Sequence, residues 1–307
     1  MITPPFLQSG DTVALIAPAY HIEPAQWEPV VPLFRSWGLQ VEIGNSLWSQ
    51  DRVFAGSDSQ RRDDLVAMMC HPHIKAVVCA RGGYGSIRLL TGLERYSSDF
   101  VPKWLIGYSD ITTLASYLVN RMQWPCIHGP MPVDLAGEQN ADSEQSWDYL
   151  HRLLFGEIPT YELPAHGLNR CGSVTAPLAG GNLSVLYSLK ATPYQWKTDG
   201  CILFIEDVNE NLYHLDRMMT NMRISGQLAK LKGLLVGAMI GMRDSEPSFG
   251  KTACEIIVEH VEDYDYPVAF GFPAGHGGAN YPLVLGANAN LFVSGQNVIF
   301  VQTNIDN

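Results

Sequence analysis

Trp104-Leu-Ile-Gly-Tyr-Ser-Asp-Ile-Thr112 is the stretch on which the reading of this chain turns. An apolar strand ends at Gly107 and a helical pattern begins at once, running to about Asn120. The same grammar recurs upstream. Ala76-Val-Val-Cys-Ala80 is a strand, followed by Arg81-Gly-Gly-Tyr-Gly85 and a helix to about Leu93. Thr12 to Ala17 reads as a buried strand, Ala25 to Trp37 as a helix stopped by Gly38, Leu39 to Ile43 as a strand, and Gln60 to Cys70 as a helix. Short apolar strands alternating with helices predict an α/β fold built on a parallel sheet covered on both faces.

Downstream, a helix is expected over about 143–155, then a polar, Pro-containing stretch. This predicts a first domain over 1–155, a linker over 156–170 and a second domain over 171–307. The second half mixes elements differently. Strands are expected at 201–205, 233–240 and 267–270, helices at 213–223 and 253–264, and a hairpin over 290–301 turning at Gly295.

With 46% hydrophobic residues and 17% charged, the chain carries enough apolar material for a sizeable core. Its net charge of -11, with no basic block, argues against nucleic acid or an anionic membrane as partner, because both select clustered Lys and Arg. Six cysteines without a C-x-x-C pair read as buried free thiols in a reducing compartment. The first residues lack the basic and apolar regions of a signal peptide, and no apolar run reaches the roughly 18 residues of a membrane span. A soluble, cytoplasmic protein is expected.

Ser109 sits on a strand-to-helix turn at the carboxyl end of a parallel strand, the edge where open α/β sheets bind ligands. The helix N-terminus behind it favours a developing oxyanion. The turn resembles a nucleophile elbow without the full G-x-S-x-G, since Ile111 stands two positions on. The competing reading makes Ser109 or Asp110 a helix N-cap worth ~1 kcal/mol. Arg81-Gly-Gly-Tyr-Gly85 either makes a tight turn or lends backbone N–H groups to an oxyanion; it lacks the Gly-Lys-Ser/Thr ending of a phosphate loop.

A serine nucleophile needs a base. Of nine histidines, His71 and His73 suggest an exposed turn, and His21, His151, His166 and His260 suggest surface positions. His128 could be buried near the site, and His214 opens a helix. His276 follows a strand between glycines that free the backbone to aim its ring, and a structural or exposed histidine is the competing reading there. Glu206 and Asp207 close an apolar strand, where a carboxylate partner for the imidazole is expected, and only one of the two can face the site. Glu210 reads as solvated.

Together these pieces resemble the LD-carboxypeptidases, the muramoyltetrapeptide carboxypeptidases. The resemblance rests on Gly107-Tyr-Ser-Asp-Ile-Thr112, Arg81-Gly-Gly-Tyr-Gly85, Gly180-Gly-Asn-Leu183, Ile205-Glu-Asp-Val-Asn-Glu210, and Gly275-His276 with Pro282 and Gly286. Phe54-Ala-Gly56 with Arg61 and Leu65, and His128-Gly-Pro-Met131, are similar as well. It runs from about Gly10 to the C-terminus.

The resemblance implies a class I glutamine-amidotransferase-like N-terminal domain and a swivelling β/α C-terminal domain, with a site in the cleft between them. It implies a Ser-His-Glu triad of Ser109, His276 and Glu206, with backbone N–H groups of Gly83 and Asp110 as oxyanion hole. Arg81, Tyr84 and Asn182 are candidates for binding substrate, and Arg88 and Arg243 are further candidate cations. The implied reaction releases the terminal D-alanine of murein tetrapeptide in cytosolic peptidoglycan recycling. It calls for no metal or cofactor and a homodimer is expected.

Two rivals stand beside it. Microcin C self-immunity proteins cleave aminoacyl-nucleotide analogues and need an aromatic loop, for which Trp196 and Tyr194 are candidates. A non-catalytic peptide- or sugar-binding protein would bind without turnover. A nucleotide-dependent amidotransferase is disfavoured, because no cysteine occupies the turn at Ser109.

Overall fold

The computed structural model of the chain describes residues 1–137, 140–303 and 305. In chain order its strands are β1 (Thr12–Ile16), β2 (Gln40–Ile43), β3 (Ile74–Cys79), β4 (Trp104–Ile106), β5 (Cys126–His128), β6 (Thr160–Pro164) and β7 (Gly172–Asn182). They continue with β8 (Ile202–Val208), β9 (Gly233–Ile240), β10 (Val268–Ala269), β11 (Leu283–Leu285), β12 (Asn288–Val293) and β13 (Asn297–Thr303). The chain divides into two compact units, Met1–Glu157 with Asn280–Gly286, and Ile158–Ala279 with Ala287–Ile305.

The first unit is built on the sheet β11-β5-β4-β3-β1-β2. β1 to β5 are parallel, as the apolar strand pattern predicts, and β11 closes the edge antiparallel to β5. The side chains of β3 and β4 are almost wholly buried, which is why these strands read as continuous apolar runs rather than alternating ones. The loops that leave the carboxyl ends of β1, β3 and β4 therefore lie side by side. β1 lies between β2 and β3, so the order of the strands reverses there, where open α/β sheets leave a crevice.

The second unit holds the sheet β10-β9-β8-β7-β12-β13-β6. β7 to β10 run parallel, and β12, β13 and β6 are antiparallel. β7 serves both halves: Gly172–Pro177 pairs with β12 and Leu178–Asn182 with β8. Helix Leu212–Ile224 packs on helix Ala253–Val261 through their apolar faces.

Several sequence expectations shift. The linker expected over 156–170 carries β6, whose alternating burial lets it pair with β13 as an edge strand. The C-terminal part of 171–307 is interrupted, because 280–286 supplies β11 to the first unit. The helix expected over 25–37 is two, Pro24–Trp27 and Val30–Ser36, separated at Pro29, which has no N–H to continue the first. Of the six thiols, only Cys79 and Cys126 are fully buried, and Cys171 is exposed beside the first residue of β7. His260 is buried, with Nε2 on the Asp216 carboxylate at 2.8 Å. Among the described residues no helix is long and apolar enough to cross a membrane.

Candidate active site

In the first unit β4 delivers Gly107, and Ser109 then turns the chain with φ +61°. That left-handed conformation is costly for a residue with a Cβ. A 3₁₀ turn over Ser109–Ile111 leads into helix Thr112–Tyr117. Neither element has a side-chain cap, so the N-cap role weighed for Ser109 and Asp110 is not realised. Ser109 stays partly accessible, whereas Asp110 is buried.

The glycine loop after β3 lies against this turn. A Cβ built on Gly82 would stand 2.9 Å from the Ser109 Cβ, 3.1 Å from its Oγ and 3.3 Å from the backbone nitrogen of Asp110. Only a residue without a side chain lets the two backbones approach this closely. At Gly83 the built Cβ would instead meet the Tyr20 ring. Gly82, which the sequence did not single out, is thus the glycine that abuts the nucleophile candidate; its signal is spatial, since Ser109 lies in the turn after the neighbouring strand β4. The Asp110 carboxylate accepts the Ser86 N–H at 2.8 Å, and burial raises its pKa above the ordinary value.

The substrate-binding candidates differ in what holds them. Arg81 is half-buried, donates to the His21 carbonyl at 3.2 Å and lies 5.9 Å from the Tyr20 ring centre. Tyr84 is exposed, near the Phe54 ring. Arg88 is tied to Asp58. His128 is buried beside Tyr108.

In the second unit, Glu206 and Asp207 lie within β8 rather than at its end, and both are buried. The ladder between β8 and β9 shifts register between Ile205 and Asp207. On β9 the Ala238 N–H turns out of the ladder to bond the Ala274 carbonyl at 2.9 Å, docking the Phe272–His276 loop there. His276 Nδ1 meets Glu206 Oε2 at 2.7 Å, with the Glu206 side chain wholly buried and the His276 ring 18% exposed. Gly275 makes this possible. Its φ is +105°, and a Cβ there would fall 2.5 Å from Glu206 Oε2.

Asp207 faces elsewhere. It accepts bonds from Asn182 Nδ2 at 3.0 Å, the Ser184 N–H at 2.9 Å and its neighbour's N–H at Val208 at 2.9 Å. Burial first, then Glu206 beside it, push its pKa up to about 7. Asn182, a substrate-binding candidate, is itself buried; its side-chain oxygen caps helix Leu183–Ser188 through the Val185 N–H. Glu210, expected to be solvated, is half-buried and pairs with His214. Arg243 holds the Asn209 carbonyl. Trp196 is packed inside the unit beside Leu186, Leu203 and Met222, so it offers no open stacking face.

Residues 13–129 match the profile of the LD-carboxypeptidase N-terminal domain, and residues 175–291 that of its C-terminal domain. A putative carboxypeptidase from Synechocystis sp. is 32% identical over 93% of this chain and 92% of its own length. The chain belongs to the LD-carboxypeptidase family. It is therefore, by family, a serine carboxypeptidase, as its motifs implied.

A murein tetrapeptide carboxypeptidase from Pseudomonas aeruginosa is 31% identical to this LD-carboxypeptidase, over 91% of this chain and 92% of that one. The crystal structure of muramoyltetrapeptide carboxypeptidase from Oxalobacter formigenes superposes with a TM-score of 0.84 at 24% identity, covering 95% of this chain and 99% of that one. The microcin C7 self-immunity protein MccF bound to aspartyl sulfamoyl adenosine has a TM-score of 0.86 at 19% identity, with both chains covered in full. These two likenesses establish the two-part α/β fold.

Proposed function

We propose that this LD-carboxypeptidase releases the terminal D-alanine of murein tetrapeptide through Ser109, His276 and Glu206. The observation that carries the reading is the bond from His276 to the fully buried Glu206 at 2.7 Å. A carboxylate on Nδ1 fixes the tautomer and stabilises the imidazolium, so that Nε2 is the nitrogen to exchange a proton with a hydroxyl.

In this reading Nε2 takes the Ser109 proton and Oγ attacks the carbonyl of the residue before D-alanine. Backbone N–H groups of Asp110 and of the Gly82-Gly83 segment receive the oxyanion. His276 then protonates the leaving amine, and water releases the acyl group by the same route. The strained, uncapped turn at Ser109 supports the nucleophile assignment. The relative named murein tetrapeptide carboxypeptidase supports the substrate. Action on recycled cell-wall peptides in the cytosol, as a homodimer, belongs to the same proposal.

Incubation with free murein tetrapeptide, followed by mass analysis, tests it. The expected product has lost one alanine, and Ser109→Ala is expected to slow its formation by on the order of 10³-fold or more. Intact tetrapeptide after prolonged incubation, with cleavage of an aminoacyl sulfamoyl-adenosine instead, would overturn the substrate assignment. Binding without turnover of either would overturn the enzyme mechanism.

A further inference from the structure

Arg61 is not among the substrate-binding candidates, yet it is one of the most deeply buried side chains, with 0% exposure. Its Nη1 donates to the carbonyls of Pro18 at 2.6 Å and Gly85 at 3.1 Å, and its Nε to that of Gly56 at 3.3 Å. Its Nη2 pairs with Asp58. The guanidinium carbon also lies 4.9 Å from the Phe54 ring centre. One fork thus ties the loop after β1, the turn before helix Asp58–Cys70, and the far end of the glycine loop.

Other bonds restrain the glycine loop as well, among them that of Arg81 to the His21 carbonyl. The Gly82 carbonyl accepts the Tyr20 N–H at 3.3 Å. Just past Gly85, the Ser86 N–H is held by the carboxylate of Asp110, the residue after Ser109. The loop is therefore tied at both ends, and one tie runs directly to the nucleophile turn. A buried guanidinium is expensive, and apolar side chains of similar volume would stabilise a core as well. Its planar, multiply donating geometry is what a clamp on several carbonyls requires and what a lysine does not reproduce.

We propose that Arg61 and the Asp110 carboxylate are positioning residues that set the gap between the Gly82-Gly83 backbone and Ser109, and with it the strength of the oxyanion hole. This rests on the assignment of Ser109 as nucleophile and deepens it. Neither side chain touches the reacting atoms; each acts through the loop or turn it fixes.

The test is the rate at which a fluorophosphonate labels Ser109, followed by mass, alongside kcat and KM for tetrapeptide. The tetrahedral phosphonyl adduct uses the same oxyanion contacts and does not depend on the identity of the natural substrate. Arg61→Lys keeps the charge and loses the fork. Asp110→Ala loses the tie to Ser86, and Asp110→Asn keeps one acceptor for it.

Variants are first shown to be folded by circular dichroism and cooperative unfolding. Arg61→Lys and Asp110→Ala are then expected to label about tenfold more slowly or worse, with kcat falling in parallel and KM changing by less than about threefold. Asp110→Asn is expected to regain most of the Asp110→Ala loss. A folded Arg61→Lys that labels within about twofold of the parent, or an Asp110→Asn no faster than Asp110→Ala, overturns the inference. If Arg61→Lys does not fold, the Asp110 pair decides alone. Absence of label at Ser109 in the parent protein would overturn the nucleophile assignment and this inference with it.

Discussion

At Gly275 one missing methyl group decides whether a base can form. The residue holds φ +105° and leaves no room for a Cβ beside Glu206 Oε2. Gly275→Ala must strain the backbone, displace the Glu206 carboxylate, or both. It is expected to lower kcat by roughly 10²-fold or more and to destabilise the fold by about 1–3 kcal/mol. Steady-state kinetics with thermal unfolding checks this, and an unchanged kcat would contradict the role given to Gly275. The glycines around His276 made it a candidate in the sequence, but they suited a structural or exposed histidine as well, and only the family motif set it apart. The choice between Glu206 and Asp207 was not legible, because neighbours on a strand face opposite ways and both here are buried with partners. The family motif named Glu206, and the contact with His276 agrees with it. Gly82 was illegible for a different reason: what distinguishes it from Gly83 is a neighbour in the turn that follows the next strand.

Among the elements, β8 carries both Glu206, which meets His276, and Asp207, which holds Asn182 and the Ser184 N–H. Its apolar run marked residues up to Ile205 as strand, but pairing continues through Val208, because Glu206 and Asp207 are satisfied or enclosed inside the unit rather than exposed at a strand end. Asp207 makes this element sensitive to pH. Its folded pKa of about 7 stands above the ordinary 3.8, with burial as the largest cause. Between about pH 4 and 7 the folded protein keeps a proton that the unfolded chain has released, so the contribution of Asp207 to stability is lost as pH rises through that window. The unfolding temperature of the parent is therefore expected to fall relative to that of Asp207→Asn between pH 4.5 and 7. Parallel profiles for the two proteins would contradict it. Strands with strong apolar runs were placed by pattern alone, β9 to the residue, β4 to within one and β3 to within two. The β6 edge strand was hidden, because its alternate exposed residues and flanking prolines look like a loop.

For the whole molecule, the α/β character, the parallel sheet of the first half and the mixed second half were legible from the rhythm of strands and helices. The return of 280–286 to the first unit was not: β11 is only Leu283–Leu285 and finds its partner in β5, far back in the chain. Short pairings between distant segments leave almost no local signal. The central claim spans this organisation, since Ser109 belongs to one unit and the His276–Glu206 pair to the other. A double-mutant cycle on kcat for tetrapeptide, with Ser109→Ala, His276→Ala and the double variant, tests it most directly. If the serine and the imidazole act as one device, each single variant loses on the order of 10³-fold or more and the double variant is no slower than the worse single one. Losses that multiply, or a Ser109→Ala protein that turns over at the parental rate, would contradict the account.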